Sequence, residues 1–222
     1  MLGIIFTGGE CPSERIIKRL IEQEATMQSI EGALLAAADS GLSAAENAGL
    51  KPDWIIGDMD SLDDPARLSA YPPERVIRHA ADKDYTDTEL AFSHLSEKGC
   101  DEIWIIGGGG GRIDHLFAIR SLFEREVFPR RWVTDAADIR CIDAETAQNT
   151  LSASLEKGAP VSVFPLGNGP WEADSGGLKW RLAGLPWERG FFGLSNAALE
   201  GDFFIRAKAG RFMAVLPLPV LV

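Results

Sequence analysis

Residues 54–64 read Trp54-Ile55-Ile56-Gly57-Asp58-Met59-Asp60-Ser61-Leu62-Asp63-Asp64, an apolar run that passes through one glycine into four carboxylates. The apolar run has the character of a buried strand. Two carboxylates about 5 Å apart repel by about 3 kcal/mol at an effective dielectric constant of about 20, so this crowding requires a counter-charge. Magnesium is the natural candidate, because it prefers oxygen ligands and Asp58 and Asp60 would point the same way on an extended segment. The alternative is a polar turn whose aspartates cap a neighbouring helix.

The composition limits the classes of protein to which the chain can belong. Its 222 residues are enough for one large or two modest domains, and we expect two. With 45% apolar and 25% charged residues it resembles an ordinary globular protein, and no apolar run is long enough to cross a membrane. The net charge of -11 argues against binding to nucleic acid or to acidic membranes.

Two further features indicate the compartment. Met1 leads directly into an apolar strand, without the basic leader of a secretory signal. Cys11, Cys100 and Cys141 are widely spaced and odd in number, which fits reduced thiols better than a disulfide framework or a zinc site. We therefore expect a cytoplasmic protein.

The first part of the chain, residues 1–143, reads as alternating strands and helices. Strands are expected at Leu2–Phe6, Gly32–Ala38, Trp54–Ile56, Arg75–Arg78, Glu102–Ile106, Trp132–Thr134 and Ile139–Ile142. This alternation predicts an α/β domain with a doubly wound, mostly parallel sheet, in which ligands bind beyond the carboxyl ends of the strands. Asp39, Asp58 and Asp60 all fall at such ends.

A helix is predicted to begin near Thr86. Thr86 and Glu89 have the spacing of a capping box, which favours a structural role for this pair. Asp87 would lie in the first helical turn, where a carboxylate complements the helix dipole whether or not it also binds a metal ion. Both roles therefore remain open for Asp87.

Five consecutive glycines, Gly107–Gly111, come before a helix that is predicted from Ile113 to about Arg125. Ordering a glycine costs up to about 1 kcal/mol relative to alanine, so something must require a bare backbone there. A phosphate that approaches closely would explain it, and so would a flexible turn between a strand and a helix. The stretch is not a Walker A loop, because Arg112 and Ile113 stand where Lys and Ser or Thr would follow the glycines. Arg112 adds a fork of donors that matches a phosphate group.

The second part, residues 144–222, reads as a small β-sandwich. Short strands separated by glycine and proline turns are expected at Val161–Phe164, Leu178–Leu182, Phe203–Ala207 and Phe212–Leu216. Gly210 is expected in a hairpin turn between the last two strands. Trp171, Trp180 and Trp187 also lie here, where a tryptophan is more often a core residue than a platform for a ligand.

Five motifs along the chain resemble those of thiamin pyrophosphokinases, in the same order. They are Ala38-Asp39-Ser40-Gly41, Gly57-Asp58-Met59-Asp60-Ser61, Lys83-Asp84-Tyr85-Thr86-Asp87, Gly110-Gly111-Arg112-Ile113-Asp114-His115 and Gly193-Leu194-Ser195-Asn196. The resemblance implies an N-terminal ATP-binding domain, a C-terminal β-sandwich that helps to hold thiamin, and a homodimer with active sites between subunits.

The resemblance also implies a reaction and a catalytic set. The hydroxyl group of thiamin would attack the β-phosphorus of ATP and release AMP, with most of the catalysis coming from positioning and charge neutralisation. The carboxylates expected to hold Mg²⁺ against the ATP phosphates are Asp39, Asp58, Asp60 and Asp87. The catalytic residues are expected to be Asp58, Asp60, Asp87, Arg112 and Asp114. Asp87 is the candidate acceptor of the hydroxyl proton.

The remaining roles concern the two substrates. The residues expected to bind ATP are Asp39, Lys83, Asp84, Thr86, Gly110, Gly111, Arg112 and His115. Arg112 and the glycine amides would take up charge on the leaving side, and Asp114 would orient Arg112 or a ribose hydroxyl. Ser195 and Asn196 are expected to bind thiamin, because short hydrogen-bonding side chains suit its aminopyrimidine ring.

The chain departs from the family pattern at two positions. Ser40 stands where the family usually has glycine, and Ala197 stands where it often has an acidic residue. The second departure lies on the expected substrate side. Two alternatives therefore stay open, namely a pyrophosphokinase for another alcohol such as a hydroxymethyl pterin, and a non-catalytic protein that binds thiamin or a nucleotide.

Overall fold

The structure is a computed structural model that describes residues 1–25, 32–199 and 201–218. The chain divides into two compact units, residues 1–122 with 127–136 and residues 123–126 with 137–222. The predicted boundary at residues 143 and 144 lies one strand later than this division. No helix within the described ranges is both long enough and apolar enough to cross a bilayer.

The first unit is built on a parallel sheet with the strand order β6-β5-β1-β2-β3-β4. Its elements in chain order are β1 (Leu2–Phe6), α1 (Glu14–Ala25), β2 (Leu34–Ala38), α2 (Gly41–Asn47), β3 (Trp54–Gly57), two 3-10 helices (Pro65–Ala70 and Pro73–Arg75), β4 (Val76–Arg78), α3 (Asp87–Glu97), β5 (Glu102–Ile106), α4 (Ile113–Leu122) and β6 (Arg131–Val133). The expected mixed α/β class with a mostly parallel sheet is confirmed.

Helices cover both faces of this sheet. Ile4 and Phe6 on one face of β1 are fully buried and pack with Ile17 of α1 and Ala45 of α2. Gly3 points to the other face, because successive strand residues alternate. A Cβ atom on Gly3 would lie 3.0 Å from the side chain of Leu95, so α3 approaches that face closely.

Helix α3 begins as the sequence predicts. The Thr86 hydroxyl accepts a hydrogen bond from the Glu89 N–H at 3.2 Å, and the Thr86 N–H donates to the Glu89 carboxylate at 2.9 Å. This reciprocal capping box satisfies two N–H groups that the first turn would otherwise leave unpaired. The cap fixes the position of Asp87, which is the first residue of the helix.

Helix α4 ends three residues before the predicted end at Arg125. Arg211 Nη1 donates to the carbonyl oxygens of Phe123 and Arg125, at 3.0 and 2.8 Å. The side chain of Arg211 thus donates hydrogen bonds to carbonyl groups just beyond the last residue of the helix.

The second unit contains two antiparallel sheets, one with the order β11-β9-β13-β7 and one with the order β10-β12-β8. Its strands are β7 (Ala137–Asp143), β8 (Thr150–Leu155), β9 (Pro160–Leu166), β10 (Glu172–Gly176), β11 (Gly193–Ala197), β12 (Gly201–Ala209) and β13 (Arg211–Pro217). Both sheets contribute to one apolar core, in which Val161, Ile205 and Phe212 are fully buried.

Two expectations for the second unit are wrong. Leu178–Leu182 is not a strand: only Leu178 forms an isolated bridge, to Ala198, and the following residues are irregular. Gly210 does form a tight turn with φ of 70°, but the strands on either side of it belong to different sheets. The turn therefore carries the chain from one sheet to the other and does not close a hairpin.

Candidate active site

Three carboxylates from separate segments of the first unit meet at one point. Asp39 follows β2, Asp58 follows β3, and Asp87 begins α3. One oxygen of each carboxylate lies within 4.8 Å of an oxygen of each of the other two. Because β2 and β3 are neighbouring parallel strands, their carboxyl ends bring Asp39 and Asp58 to the same edge of the sheet. We call these three residues the carboxylate cluster.

Two residues at the carboxylate cluster have an unusual backbone conformation. Asp39 has φ of 48° and Met59 has φ of 66°, both in the left-handed region that is uncommon for residues other than glycine. The Asp39 N–H donates to the carbonyl of Ile56 at 3.0 Å, which holds it against β3. Met59 is 6% exposed and packs in an apolar cluster with Leu42 and Tyr71. Its burial anchors the acidic loop to the unit.

Asp39 is the most buried member of the cluster. Its exposed fraction is 9%, and its Oδ1 atom has no hydrogen-bond partner in the described part of the chain. Burial and the nearby Asp87 carboxylate raise the pKa of Asp39, against the opposing effect of the Ser61 hydroxyl. A buried oxygen without a donor is costly unless it meets a cation. Asp39 therefore has the environment of a metal ligand.

Lys83 supplies positive charge to the other two carboxylates. Its Nζ atom lies 3.3 Å from Asp58 Oδ2 and 2.9 Å from Asp87 Oδ1. A hydrogen bond from the Asp60 N–H to Asp58 Oδ1, together with Lys83, lowers the pKa of Asp58. Burial opposes protonation of Lys83, but its ion-pair contacts with the Asp87 and Asp58 carboxylates outweigh this and raise its pKa. The lysine and its partner Asp58 are therefore both charged at neutral pH.

The structure does not bring Asp60 into the carboxylate cluster. Its side chain is exposed, and Oδ1 accepts a hydrogen bond from the Ser61 hydroxyl at 3.0 Å. The expectation that residues 58–60 form an extended segment is wrong. Met59 between them is in the left-handed conformation, which changes the direction of the chain. A metal-binding role for Asp60 stays a prediction from the sequence.

A cleft of about 260 Å³ opens beside the cluster. Its walls include Thr7–Gly9 after β1, Asp39 and Ser40 after β2, Asp87 of α3, and Gly108–Arg112 after β5. A second cavity of about 440 Å³ adjoins it across Thr7–Gly9 and Ser40. Strand β1 lies between β2 and β5, where the strand order reverses, and ligands bind at such points in α/β sheets. The two cavities together have the size of a small-molecule site.

The glycine run packs against the protein itself. A Cβ atom on Gly109 would lie 2.0 Å from Asp135 Oδ1, and one on Gly110 would lie 2.5 Å from the Glu10 carboxyl carbon. Gly111 has φ of 57°, and no described atom would lie within 4 Å of its Cβ. Contact with neighbouring segments therefore explains most of the run, and only Gly111 leaves open space for a ligand.

The amide groups of the run form two sets. Those of Gly107–Gly109 donate to main-chain carbonyls of neighbouring segments at 2.8, 2.8 and 3.0 Å. Those of Gly110 and Gly111 donate to no group that the structure describes. The two glycines that the motif selects are thus the ones whose N–H groups remain available for an anion.

Arg112 and Asp114 form an exposed ion pair next to these amides. Arg112 Nε lies 3.1 Å from Asp114 Oδ1, and Arg112 Nη2 contacts Asp114 Oδ2. Their hydrogen bonds raise the pKa of Arg112 and lower that of Asp114. Arg112 and His115 line the cleft, whereas Asp114 does not. The ion pair is the contact through which Asp114 could orient Arg112.

Two further residues predicted to bind ATP have different surroundings. Thr86 lines the cleft, whereas Asp84 is exposed and lies outside its lining. Thr7 and Thr88, which no motif in the sequence singles out, also line the cleft, and their buried hydroxyl oxygens are 2.6 Å apart. Thr7 directly follows β1, so the rule that ligands bind beyond the carboxyl ends of parallel strands, which selects Asp39, also selects Thr7. No sequence signal marks Thr88.

The second unit holds the residues predicted to bind the substrate. Asn196 is 4% exposed, and its Oδ1 accepts hydrogen bonds from the N–H groups of Trp180 at 3.0 Å and Ala197 at 2.9 Å. Its Nδ2 donates to the carbonyl of Trp180 at 2.6 Å. The amide of Asn196 is therefore engaged in holding the main chain of Trp180. Ser195 is exposed, has φ of 56° and donates its N–H to Ser162 Oγ at 3.0 Å, and its hydroxyl bonds to no described residue.

The three tryptophans of the second unit differ in exposure. Trp171 and Trp187 donate their indole N–H groups to the carbonyls of Leu166 and Leu182, at 2.7 and 3.3 Å, and pack against the core. Trp180 is 54% exposed, and Lys179 Nζ lies 4.4 Å from its ring centre. Trp180 is thus the one of the three whose ring face can meet a ligand.

Comparisons with known proteins address the first unit most directly. The model of the thiamin pyrophosphokinase catalytic domain matches residues 28–130, which include the carboxylate cluster and the glycine run. The thiamine pyrophosphokinase of Bacillus subtilis (strain 168) is 38% identical over 81 residues. The resemblance to the thiamin pyrophosphokinase family is confirmed.

Similarity to the thiamin pyrophosphokinases extends over the whole fold, although the sequence match is local. The aligned segment spans 35% of this chain and 37% of the B. subtilis enzyme. The crystal structure of thiamine pyrophosphokinase from B. subtilis has a TM-score of 0.70 at 22% identity and covers 99% of both chains. Yeast thiamin pyrophosphokinase has a TM-score of 0.63 at 16% identity, over 98% of this chain and 86% of that one. At these identities the structures show a shared fold.

Proposed function

We propose that this chain is a thiamin pyrophosphokinase, which transfers the pyrophosphoryl group of ATP to the hydroxyl of thiamin and releases AMP. The observation that carries the proposal is the meeting of Asp39, Asp58 and Asp87 beside a cleft that is also lined by Gly110 and Gly111, whose N–H groups have no described acceptor. A carboxylate cluster next to free anion-binding amides suits a metal-bound polyphosphate.

The carboxylate cluster fits a magnesium ion by its chemistry. It offers hard oxygen donors, and Asp39 Oδ1 is buried without a partner among the described residues. When bound there, Mg²⁺ would supply charge neutralisation to the ATP phosphates. Asp39, Asp58 and Asp87 would hold it directly. Asp60 would act from its exposed position through a metal-bound water, because Mg²⁺ usually keeps several waters.

The residues of the cleft would position the reacting groups. Gly110, Gly111 and Arg112 would bind the phosphate that becomes part of AMP, and Asp114 would hold the guanidinium of Arg112 in place. Asp87 would accept the proton of the attacking hydroxyl, although a loose transition state asks little of a base. Thr86, Lys83, Asp84 and His115 would complete the ATP contacts.

The two parts of the chain would divide the work. Residues 1–143 would be a doubly wound ATP-binding catalytic domain, and residues 144–222 a β-sandwich that binds thiamin. In the second part Ser195 offers an available hydroxyl, and Trp180 offers an exposed ring whose π face suits the thiazolium cation. Asn196 would contribute by holding Trp180. We also propose a cytoplasmic homodimer, as the family resemblance implies.

The test is to incubate the protein with ATP, Mg²⁺ and thiamin and to identify the products by mass. Thiamin diphosphate should form only when all three are present. Asp87→Asn should lose at least about 99% of the rate, because it removes a charged ligand of the metal. Asp101→Asn, which makes the same change at an exposed site outside the cleft, is the matched control and should retain the rate.

Two results would favour the alternatives. Product from a hydroxymethyl pterin in place of thiamin would assign another alcohol to the same chemistry. Tight binding of thiamin or ATP without turnover of any alcohol would indicate a sequestering protein.

A further inference from the structure

Lys83 places a positive charge beside the carboxylate cluster. Its side chain is 15% exposed, and its ammonium contacts Asp58 at 3.3 Å and Asp87 at 2.9 Å. Asp87 is the first residue of α3, and Lys83 precedes it by four residues. The ammonium thus contacts two of the three carboxylates that would hold a divalent ion.

The third carboxylate does not share in this contact. Asp39 Oδ1 has no hydrogen-bond partner in the described residues, although Asp39 is 9% exposed. One ammonium is a single charge with three donors, and it cannot satisfy three converging carboxylates as a divalent ion can. The arrangement with Lys83 therefore leaves the buried Asp39 oxygen without a donor among the described residues.

A divalent ion and the Lys83 ammonium would compete for this place. An ion bound to Asp87 Oδ1 at about 2.1 Å would lie no more than about 5 Å from Lys83 Nζ, which is 2.9 Å from the same oxygen. The two cations would repel each other strongly over that distance in a partly buried site. The four-carbon stem of lysine is flexible, so the ammonium can move away without a change in the backbone.

We infer that Lys83 is the internal counter-ion of the carboxylate cluster, and that a divalent cation binds there only as the Lys83 ammonium leaves Asp58 and Asp87. The inference rests on the proposed function, because it takes the cluster to be the metal site.

The first test measures Mn²⁺ binding from the electron paramagnetic resonance signal of the free ion, without nucleotide. Lys83→Met removes the competing ammonium and should bind Mn²⁺ about tenfold more tightly than the natural chain, equivalent to about 1.4 kcal/mol. Lys98→Met is the matched control, since Lys98 lies over the ring of Trp54 at 4.9 Å and contacts no cluster residue that the structure describes. The control should bind within twofold of the natural chain, a range of about 0.4 kcal/mol.

The second test uses the natural chain and does not depend on the folding of a variant. An amine-reactive acylating reagent should modify Lys83 at least about threefold faster at saturating Mn²⁺ than in its absence, because the ammonium has lost its two carboxylates. Peptide mass spectrometry gives the rate for each lysine. The rate at Lys98 should not change.

The outcomes separate this inference from the proposed function. Equal or weaker Mn²⁺ binding by folded Lys83→Met would overturn it, and so would an unchanged or reduced labelling rate at Lys83. Absence of Mn²⁺ binding to the natural chain would overturn the metal site itself, and the inference with it. Tighter binding by the variant together with faster labelling of the natural chain would support the inference.

Discussion

A Cβ atom on Gly57 would lie 3.1 Å from the carboxyl carbon of Asp87, so the last residue of β3 and the first turn of α3 meet across a bare backbone. The same Cβ would lie 3.2 Å from Cβ of Asp39. Gly57 has φ of 154°, which side chains rarely adopt. Glycine at this position therefore allows carboxylates from three segments to converge.

The close approach at Gly57 predicts the effect of adding one methyl group. Gly57→Ala should lower the free energy of unfolding by about 1–3 kcal/mol and weaken Mn²⁺ binding by at least tenfold, since Asp39 and Asp87 must both move. Thermal denaturation and Mn²⁺ titration measure the two effects. Gly99→Ala is the control, because Gly99 has φ of 86° but no described atom within 4 Å. If Gly57→Ala binds Mn²⁺ as the natural chain does, the convergence does not depend on this glycine.

The two aspartates of the acidic loop should differ in their effect on metal binding. Asp58→Asn removes a charged member of the cluster and should weaken Mn²⁺ binding by about 100-fold. Asp60→Asn changes an exposed side chain outside the cluster and should weaken it by less than about tenfold, since any role of Asp60 would pass through water. Titration of both variants measures the difference. Equal losses would place Asp60 in direct contact with the ion.

The exposed tryptophan of the second unit should affect one substrate only. Trp180→Ala should raise the KM for thiamin by about tenfold and leave the KM for ATP unchanged, because a stacked aromatic ring contributes about 1–2 kcal/mol to binding a cation. Steady-state kinetics with each substrate varied in turn measures this. Trp187→Phe is the control, since it keeps an aromatic ring in the core. A rise in the KM for ATP instead would move Trp180 to the nucleotide side.

Asn196 should act through Trp180. Asn196→Ala leaves the N–H and carbonyl of Trp180 without partners and should lower the free energy of unfolding by about 2 kcal/mol. It should also raise the KM for thiamin, whereas Ser195→Ala should raise that KM without loss of stability. Intrinsic tryptophan fluorescence reports whether Trp180 has moved. Unchanged stability of Asn196→Ala would contradict the holding role.

His94 should make stability fall on the acid side of neutrality. Burial and the positive charges of Lys98 and Arg75 lower its pKa, against the opposing charge of Glu97, and its ring packs edge-on against Trp54. Because the pKa of His94 is lower in the folded chain, the unfolded chain takes up the proton at a higher pH. The contribution of His94 to the free energy of unfolding is therefore complete above the ordinary pKa of about 6.5 and is lost as the pH falls below it. His94→Phe should lose less stability between pH 7 and pH 5 in denaturant titrations. Parallel losses in both proteins would exclude His94 as the cause.

Much of the first unit could be predicted because its strands are short runs of large apolar residues. Leu2–Phe6 and Glu102–Ile106 match their predicted bounds. By contrast β8, β10 and β11 were missed, because they are rich in Ser, Ala and Gly and carry little apolar alternation. Their place in the sheets is set by pairing with distant strands, which local sequence does not encode.

The sequence predicts those residues of the candidate site that directly follow a parallel strand. Asp39 and Asp58 follow from the rule that the carboxyl ends of parallel strands share one edge. The exposure of Asp60 depends on the left-handed conformation of Met59, which is uncommon for such a residue and has no local signal. The engagement of Asn196 with Trp180 depends on two segments 16 residues apart, which a sequence motif cannot reveal.

Identification of the nucleotide product is the most direct test of the proposed pyrophosphoryl transfer. After partial reaction of the protein with ATP, Mg²⁺ and thiamin, anion-exchange chromatography separates AMP from ADP and thiamin monophosphate from thiamin diphosphate. AMP and thiamin diphosphate should appear in equal amounts from the first time point. ADP together with thiamin monophosphate would contradict pyrophosphoryl transfer, because attack would then have occurred at the γ-phosphorus.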